Sequence, residues 1–224
     1  MKFATVSVAL LTVVIAFAAG ASGAQPAGAC KVIDDFAQAK VGELPTDWRV
    51  REEEGKGVYS VREEGGLRFL HAHARGLGVQ AAKQYEWDLN AYPVLAWSWR
   101  PIEFPQGADE KGGKNDSAVA VYLLGPYSRV LGFKSVKYIW SEKVAPGTRL
   151  SSSRGRTQVL VLRSGVAARK GEWVEERVNV RNDYLKFFDE KEVPKPAGVA
   201  VLTDSDDTGS SAQGDYANFR ICRG

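Results

Sequence analysis

The chain has 224 residues, with 30 lysines and arginines against 27 aspartates and glutamates, a formal net charge of +3. So even a balance gives no electrostatic reason to expect nucleic acid or a strongly anionic surface as partner. Histidine occurs only at 71 and 73, which restricts histidine-based catalysis to one place.

The first 24 residues predict a secretory signal peptide. Lys2 supplies a short basic start, Val6 to Ala19 an uncharged apolar run, and Gly20 to Ala24 the small residues of a cleavage site. Cleavage is expected after Ala24, with Ala21 as the alternative, giving a periplasmic or secreted product. The apolar run is too short for a membrane span, and no later segment approaches ~20 apolar residues, so no transmembrane segment is expected. Ala27 to Cys30 weakly resembles a lipoprotein acceptor, but the leucine usual three residues before the cysteine is missing, which disfavours a lipid anchor on Cys30. Residues 30–224 are enough for one domain with a substantial core. Cys30 opens that domain and Cys222 nearly closes it. An even cysteine count in an exported chain predicts one Cys30–Cys222 disulfide, which would set the first and last strands side by side.

Strand patterns then follow one another: Val58–Arg62, Leu67–Ala72, Ala96–Arg100, Ala118–Leu124, Val136–Ser141, Thr157–Arg163, Trp173–Val180, Val199–Leu202 and Asn218–Cys222. Gly125–Val136 reads equally as loop or strand. Glycine, proline, aspartate and asparagine punctuate the connections. One short helix is predicted over 182–188, capped by Asn182 or Asp183. No repeat or linker divides the region. Many short strands with sparse helix predict an all-β, antiparallel two-sheet sandwich, and joined ends favour a jelly-roll-like topology.

Several stretches, in this order, resemble one bacterial family. They are Ile33-Asp34-Asp35-Phe36, the Trp48 region, Ala96-Trp97-Ser98-Trp99-Arg100, Lys114-Asn115-Asp116 before Ala118–Tyr122, Lys137-Tyr138-Ile139-Trp140, Asn179 with Asp183-Tyr184, and Thr203–Gly209. The family is the domain of unknown function 3047. The resemblance spans nearly all of the mature chain and implies an exported β-sandwich protein. It implies little about activity, because none is established for the family. Ala120 departs from the arginine expected there in relatives.

The most chemically loaded stretch is Asp204-Ser205-Asp206-Asp207-Thr208-Gly209, with Asp215 beyond it. Oxygen side chains at Asp204, Asp206, Thr208 and Asp215 occupy positions 1, 3, 5 and 12 of a twelve-residue calcium loop, with glycine at position 6. Its flanks read as strands rather than helices. Thr208 brings no charge, and Asp215 is shorter than the usual bidentate glutamate. Three readings stay open: a calcium site, a ligand-contacting or catalytic loop, and an acidic solvated turn. If the chain ends pair, Asp34 or Asp35 could share an ion with Asp215. Asp116 could lie near the same loop, since both flank strand ends.

Among the aromatics, Trp97 and Trp99 share an apolar face with Leu95 and read as core. Tyr138 and Trp140 read as core or as a sugar-stacking platform. Trp173, Glu175, Arg177 and Asn179 alternate along one strand face, where an indole beside polar groups suits a sugar ring. The competing reading there is a solvated face with a Glu175–Arg177 pair. His71 and His73 share a face without a third zinc ligand nearby. Lys111 to Lys114 lacks phosphate-loop spacing.

Three functions follow as expectations. The first is a non-catalytic module binding glycan or cell-envelope polysaccharide, with calcium as the one cofactor considered. The second is a polysaccharide hydrolase or lyase using carboxylates drawn from Asp116, Glu175, Asp204 and Asp206. The third is a structural envelope protein.

Overall fold

The computed structural model describes residues 29–51, 53–130, 132–165 and 171–224; the expected signal peptide lies outside them. Two packed β-sheets account for most of the chain. Sheet A contains β1 (Cys30–Asp34), β3 (Tyr59–Glu64), β4 (Leu67–Arg75), β6 (Val94–Glu103), β11 (Val174–Asn179) and β13 (Ser211–Cys222). Sheet B contains β2 (Trp48–Val50), β5 (Ala81–Gln84), β7 (Val119–Ser128), β8 (Gly132–Ser141), β9 (Arg149–Ser152), β10 (Thr157–Ser164) and β12 (Gly198–Leu202). The order is β11-β6-β13-β4-β3 in sheet A, with β1 also on β13, and β2-β5-β12-β7-β8-β10-β9 in sheet B. The result is a jelly-roll-like sandwich with one helix, α1 (Val180–Phe188).

One pairing departs from the all-antiparallel expectation: β10 runs parallel to β8. The chain leaving β8 passes the place of its neighbour, lays down β9 at the edge, and returns as β10 between them. The undecided segment Gly125–Val136 is the tip of a β7–β8 hairpin. The helix begins two residues earlier than predicted. Its cap is Asn179, whose side chain accepts from the Asn182 amide at 2.9 Å, rather than Asn182 or Asp183.

The core forms where the inner faces of the sheets meet. Trp97 and Trp99 stand 5.3 Å apart edge to face, and reach across to Tyr138 at 5.7 Å and Trp140 at 6.2 Å. Gly214 lets β13 approach β7: a Cβ there would lie 2.3 Å from Val119 Cγ1 and 2.5 Å from the Ala118 carbonyl. A second apolar layer covers the outer face of sheet B, built on Ala120, Tyr122, Leu124, Ile139, Ala200 and Leu202. Burial on both faces explains why β7 and β12 read as unbroken apolar runs. Ala120, where the family resemblance led us to expect arginine, is wholly buried in that layer.

The chain ends are joined. β1 lies antiparallel to the last residues of β13, with Cys30 opposite Cys222, and the two cysteines form a disulfide.

Candidate functional site

Three carboxylates meet at one end of sheet B. Asp204 follows β12, Asp116 precedes β7, and these strands are hydrogen-bonded neighbours. The connection is locked by the backbone, since Ser117 N donates to Asp204 O at 3.2 Å and Asp204 N to Ser117 O at 2.9 Å. One carboxylate oxygen from each of Asp116, Asp204 and Asp206 lies within 4.8 Å of the other two. Asp116 and Asp204 are buried and Asp206 is exposed.

Asp116 also shapes the loop. Its Oδ1 accepts from the Asp207 amide at 3.2 Å; its Oδ2 accepts from the Thr208 amide at 2.9 Å and the Thr208 hydroxyl at 2.6 Å. Asp207 is turned away and accepts from Asn115 N and Nδ2. Gly78 backs the cluster, where a Cβ would lie 2.6 Å from Asp204 Oδ1 and 2.9 Å from Asp206 Oδ1. Burial, reinforced by Asp206 and Asp116 and opposed by Lys137, pushes the Asp204 carboxyl up to about 8. Burial alone would pull the Lys137 amine down, but Tyr122, Asp204 and Glu110 outweigh it and raise it.

The loop reading is therefore corrected in two of its four residues. Thr208 donates to Asp116 rather than facing the cluster. Asp215 lies in the interior of β13, paired with His71 of β4 and Arg100 of β6. Its Oδ1 is 2.6 Å from His71 Nδ1, and its Oδ2 accepts from Arg100 Nε at 2.7 Å. Arg100 continues to Glu64 at 2.6 Å and lies over the rings of Phe69 and Trp173. Both oxygens of Asp215 are thus engaged within sheet A. Asp34 accepts instead from Trp48 Nε1 at 2.7 Å and Lys83 Nζ at 2.8 Å, and Asp35 caps the Ala37 amide.

The aromatic strand candidates are also dispersed. Tyr138 and Trp140 lie in the core, where the Tyr138 hydroxyl donates to Asp183 at 2.8 Å, so neither offers a stacking platform. Trp173 is half-buried, packed on Phe69 at 5.3 Å and beneath Arg100. Glu175 is exposed and pairs with Arg220 at 2.9 Å and Arg177 at 3.9 Å. Arg177 also reaches Cys222 Sγ, and Asn179 caps α1. Glu175 belongs to sheet A and does not join the three aspartates. His73 Nε2 meets Ser211 Oγ at 3.1 Å, so the two histidines do not converge on a common ligand.

Sequence reasoning missed a different aromatic pair. At the β7–β8 tip, Tyr127 is 62% and Phe133 40% exposed, their rings 5.0 Å apart. Neighbouring strand residues point to opposite faces, so Pro126 and Lys134 turn to the other side of the hairpin. There they line a cleft of about 400 Å³ with Arg156, Tyr184, Glu190, Glu192, Val193 and Pro194. Lys134 pairs with Glu190 and lies over the Phe188 ring. The only signal was two aromatics in a segment whose structure was ambiguous.

A family model described as "Protein of unknown function (DUF3047)" matches residues 46–220, and the chain belongs to that family. No curated protein matches it. Among solved structures, it is similar to TmCBM27, described as a carbohydrate-binding module with specific mannan recognition. That match has 12% identity and a TM-score of 0.40, covering 88% of this chain and 99% of the other. The xyloglucanase domain of NopAA from Sinorhizobium fredii gives 10% identity and a TM-score of 0.40, covering 83% and 99%. A variant Cel12A cellulase derived from Rhodothermus marinus gives 10% identity and a TM-score of 0.41, covering 81% and 99%. These likenesses concern the fold alone.

Proposed function

We propose that this member of the family is an exported, non-catalytic module that binds polysaccharide at the β7–β8 end of the sandwich. The observation that carries this reading is the exposed Tyr127–Phe133 pair. Exposed rings in contact offer apolar faces to sugar C–H groups, and hydroxyls need charged or amide partners close by. Lys134, Arg156, Glu190 and Glu192 line the cleft on the other side of the same hairpin. The disulfide fits an oxidising compartment outside the cytoplasm.

Binding is favoured over hydrolysis by the place of the clustered carboxylates. They stand at the start of β7, whereas Tyr127 lies near its far end, about eight residues or roughly 26 Å along the strand. Affinity electrophoresis against a panel of soluble plant, fungal and bacterial polysaccharides tests the reading. Retardation by at least one polymer is expected, with Tyr127→Ala/Phe133→Ala weakening it at least roughly tenfold, the order of hot-spot aromatics. Failure of every polymer to retard the wild type, or retardation unchanged in the double variant, refutes it.

A further inference from the structure

We infer that Asp116, Asp204 and Asp206 form a binding site for one divalent cation, and that the ion is calcium. The site is independent of the glycan reading and lies at the strand ends that hold the acidic loop.

The cluster is more than an acidic turn, because one member is left without a partner. Asp204 is 5% exposed, and its buried Oδ1 has no hydrogen-bond partner among the described residues. A buried acceptor without a donor costs free energy and calls for an explanation, an ion among them. That oxygen is aimed into the cluster: the point above Gly78 nearest it is also 2.9 Å from Asp206 Oδ1. Any side chain at 78 would occupy the space where these two oxygens gather. Asp116 Oδ1 accepts one amide and retains acceptor capacity, since a carboxylate carries about four lone-pair sites.

The donor set selects the metal. All three candidate ligands are carboxylate oxygens, which suit hard cations and not zinc, whose sites favour sulfur and imidazole. Calcium takes oxygens at about 2.3–2.6 Å, so oxygens up to about 4.8 Å apart can share one ion across its shell. Magnesium demands near-octahedral geometry and is usually held by one or two carboxylates with several waters, whereas calcium accepts three or more protein oxygens in a flexible shell. Asp206 is exposed, so water can complete the coordination on that side. Of the twelve-residue spacing in the sequence, Asp204 and Asp206 enter the proposed site. The third comes from the neighbouring strand rather than from further along the loop.

The test is calorimetric titration of calcium into chelator-treated full-length protein, together with thermal melting. One site is expected, with an affinity in the roughly micromolar to millimolar range of oxygen-liganded modules. Saturating calcium should raise the melting temperature by several degrees over chelator, as linkage requires. Asp206→Asn removes an exposed ligand without opening the core; it should melt normally in chelator and bind calcium at least about tenfold more weakly. Gly78→Ala should also weaken binding, through displacement of the oxygens. The inference is overturned if wild-type protein shows neither heat nor melting shift in millimolar calcium. It is equally overturned if Asp206→Asn binds as well as wild type, or if magnesium binds more tightly than calcium.

Discussion

Asp215→Asn separates the linear reading of the acidic loop from the folded one. By spacing, Asp215 closes a calcium loop; in the structure it is 2% exposed and holds His71 and Arg100 on the outer face of sheet A. Asparagine keeps the shape and one acceptor oxygen but places an amide where the carboxylate met its two donors. Hydrogen bonds to charged groups contribute about 1.5–3 kcal/mol each. Arg100 keeps Glu64, which offsets part of the loss. Removing one partner from a buried pair otherwise costs about 3–5 kcal/mol, so a net loss of about 3 kcal/mol is expected. For a domain of this size each kcal/mol lowers Tm by about 2–4 °C, which gives roughly 6–12 °C. Urea denaturation in chelator measures the loss, and calcium titration of the folded variant should give an affinity within about twofold of wild type. A stability loss below about 1 kcal/mol would mean the pair behaves like an exposed one and would refute the reasoning. A tenfold drop in calcium affinity would return Asp215 to the ion.

Other outcomes follow from the same contacts. Replacing Cys30 and Cys222 by alanine opens a loop with a sequence separation of 192, for which chain entropy gives at most about 5 kcal/mol. Denaturation of the double variant should show a loss of about 3–5 kcal/mol, and a loss under about 1 kcal/mol would mean the β1–β13 pairing alone restrains the ends. Tyr216→Phe removes one hydroxyl, which donates to Leu202 O at 2.8 Å and accepts from Ala120 N at 3.2 Å. Two buried backbone groups lose this partner, so a loss of about 2–3 kcal/mol is expected by calorimetry. Burial raises the Asp183 carboxyl above its ordinary value, although the Tyr138 hydroxyl bond opposes it. The folded state therefore binds that proton more tightly than the unfolded one. The contribution is complete below about pH 4 and lost as pH rises through the folded value. Asp183→Asn should flatten that part of the stability–pH profile, and an unchanged slope would count against this assignment.

The parts of this molecule legible in the sequence are those governed by local period. β7 and β12 were visible because their apolar runs are continuous, and Trp97 and Trp99 were placed in the core because they share parity with Leu95. β1, β2, β5 and β9 were not predicted as strands. They are three to five residues long and lie outside the clear alternation that marks longer strands. The β7–β8 tip stayed ambiguous because glycines and a proline interrupt its pattern, although cross-strand pairing extends to Ser128 and Gly132. The Trp173 strand failed as a sugar surface for another reason. Alternation was read correctly, but Trp173 folds across the sheet onto Phe69, and Asn179 is claimed by the helix that starts beside it.

The acidic loop shows why spacing alone does not say which residues meet in a β-fold. In a helix–loop–helix calcium site the chain curls around the ion, so the twelfth residue returns to it. Here Gly209 turns the chain into β13, which starts at Ser211 and rises about 3.3 Å per residue. By Asp215 the strand has travelled about 13 Å from its start, too far to close the same shell. It has also entered the other sheet, opposite His71. The vacated place goes to a residue close in space and remote in sequence. Asp116 sits at the head of β7 because β7 pairs with β12, and the backbone bonds between Ser117 and Asp204 set the two carboxylates side by side. The cluster is therefore a property of the strand order, and its integrity should follow the β7–β12 pairing. Pro substitution at Ser117 removes the amide that donates to Asp204 O; it should weaken calcium binding even though all three carboxylates remain. Unchanged affinity in Ser117→Pro, with the fold intact by circular dichroism, would show that the loop alone carries the site.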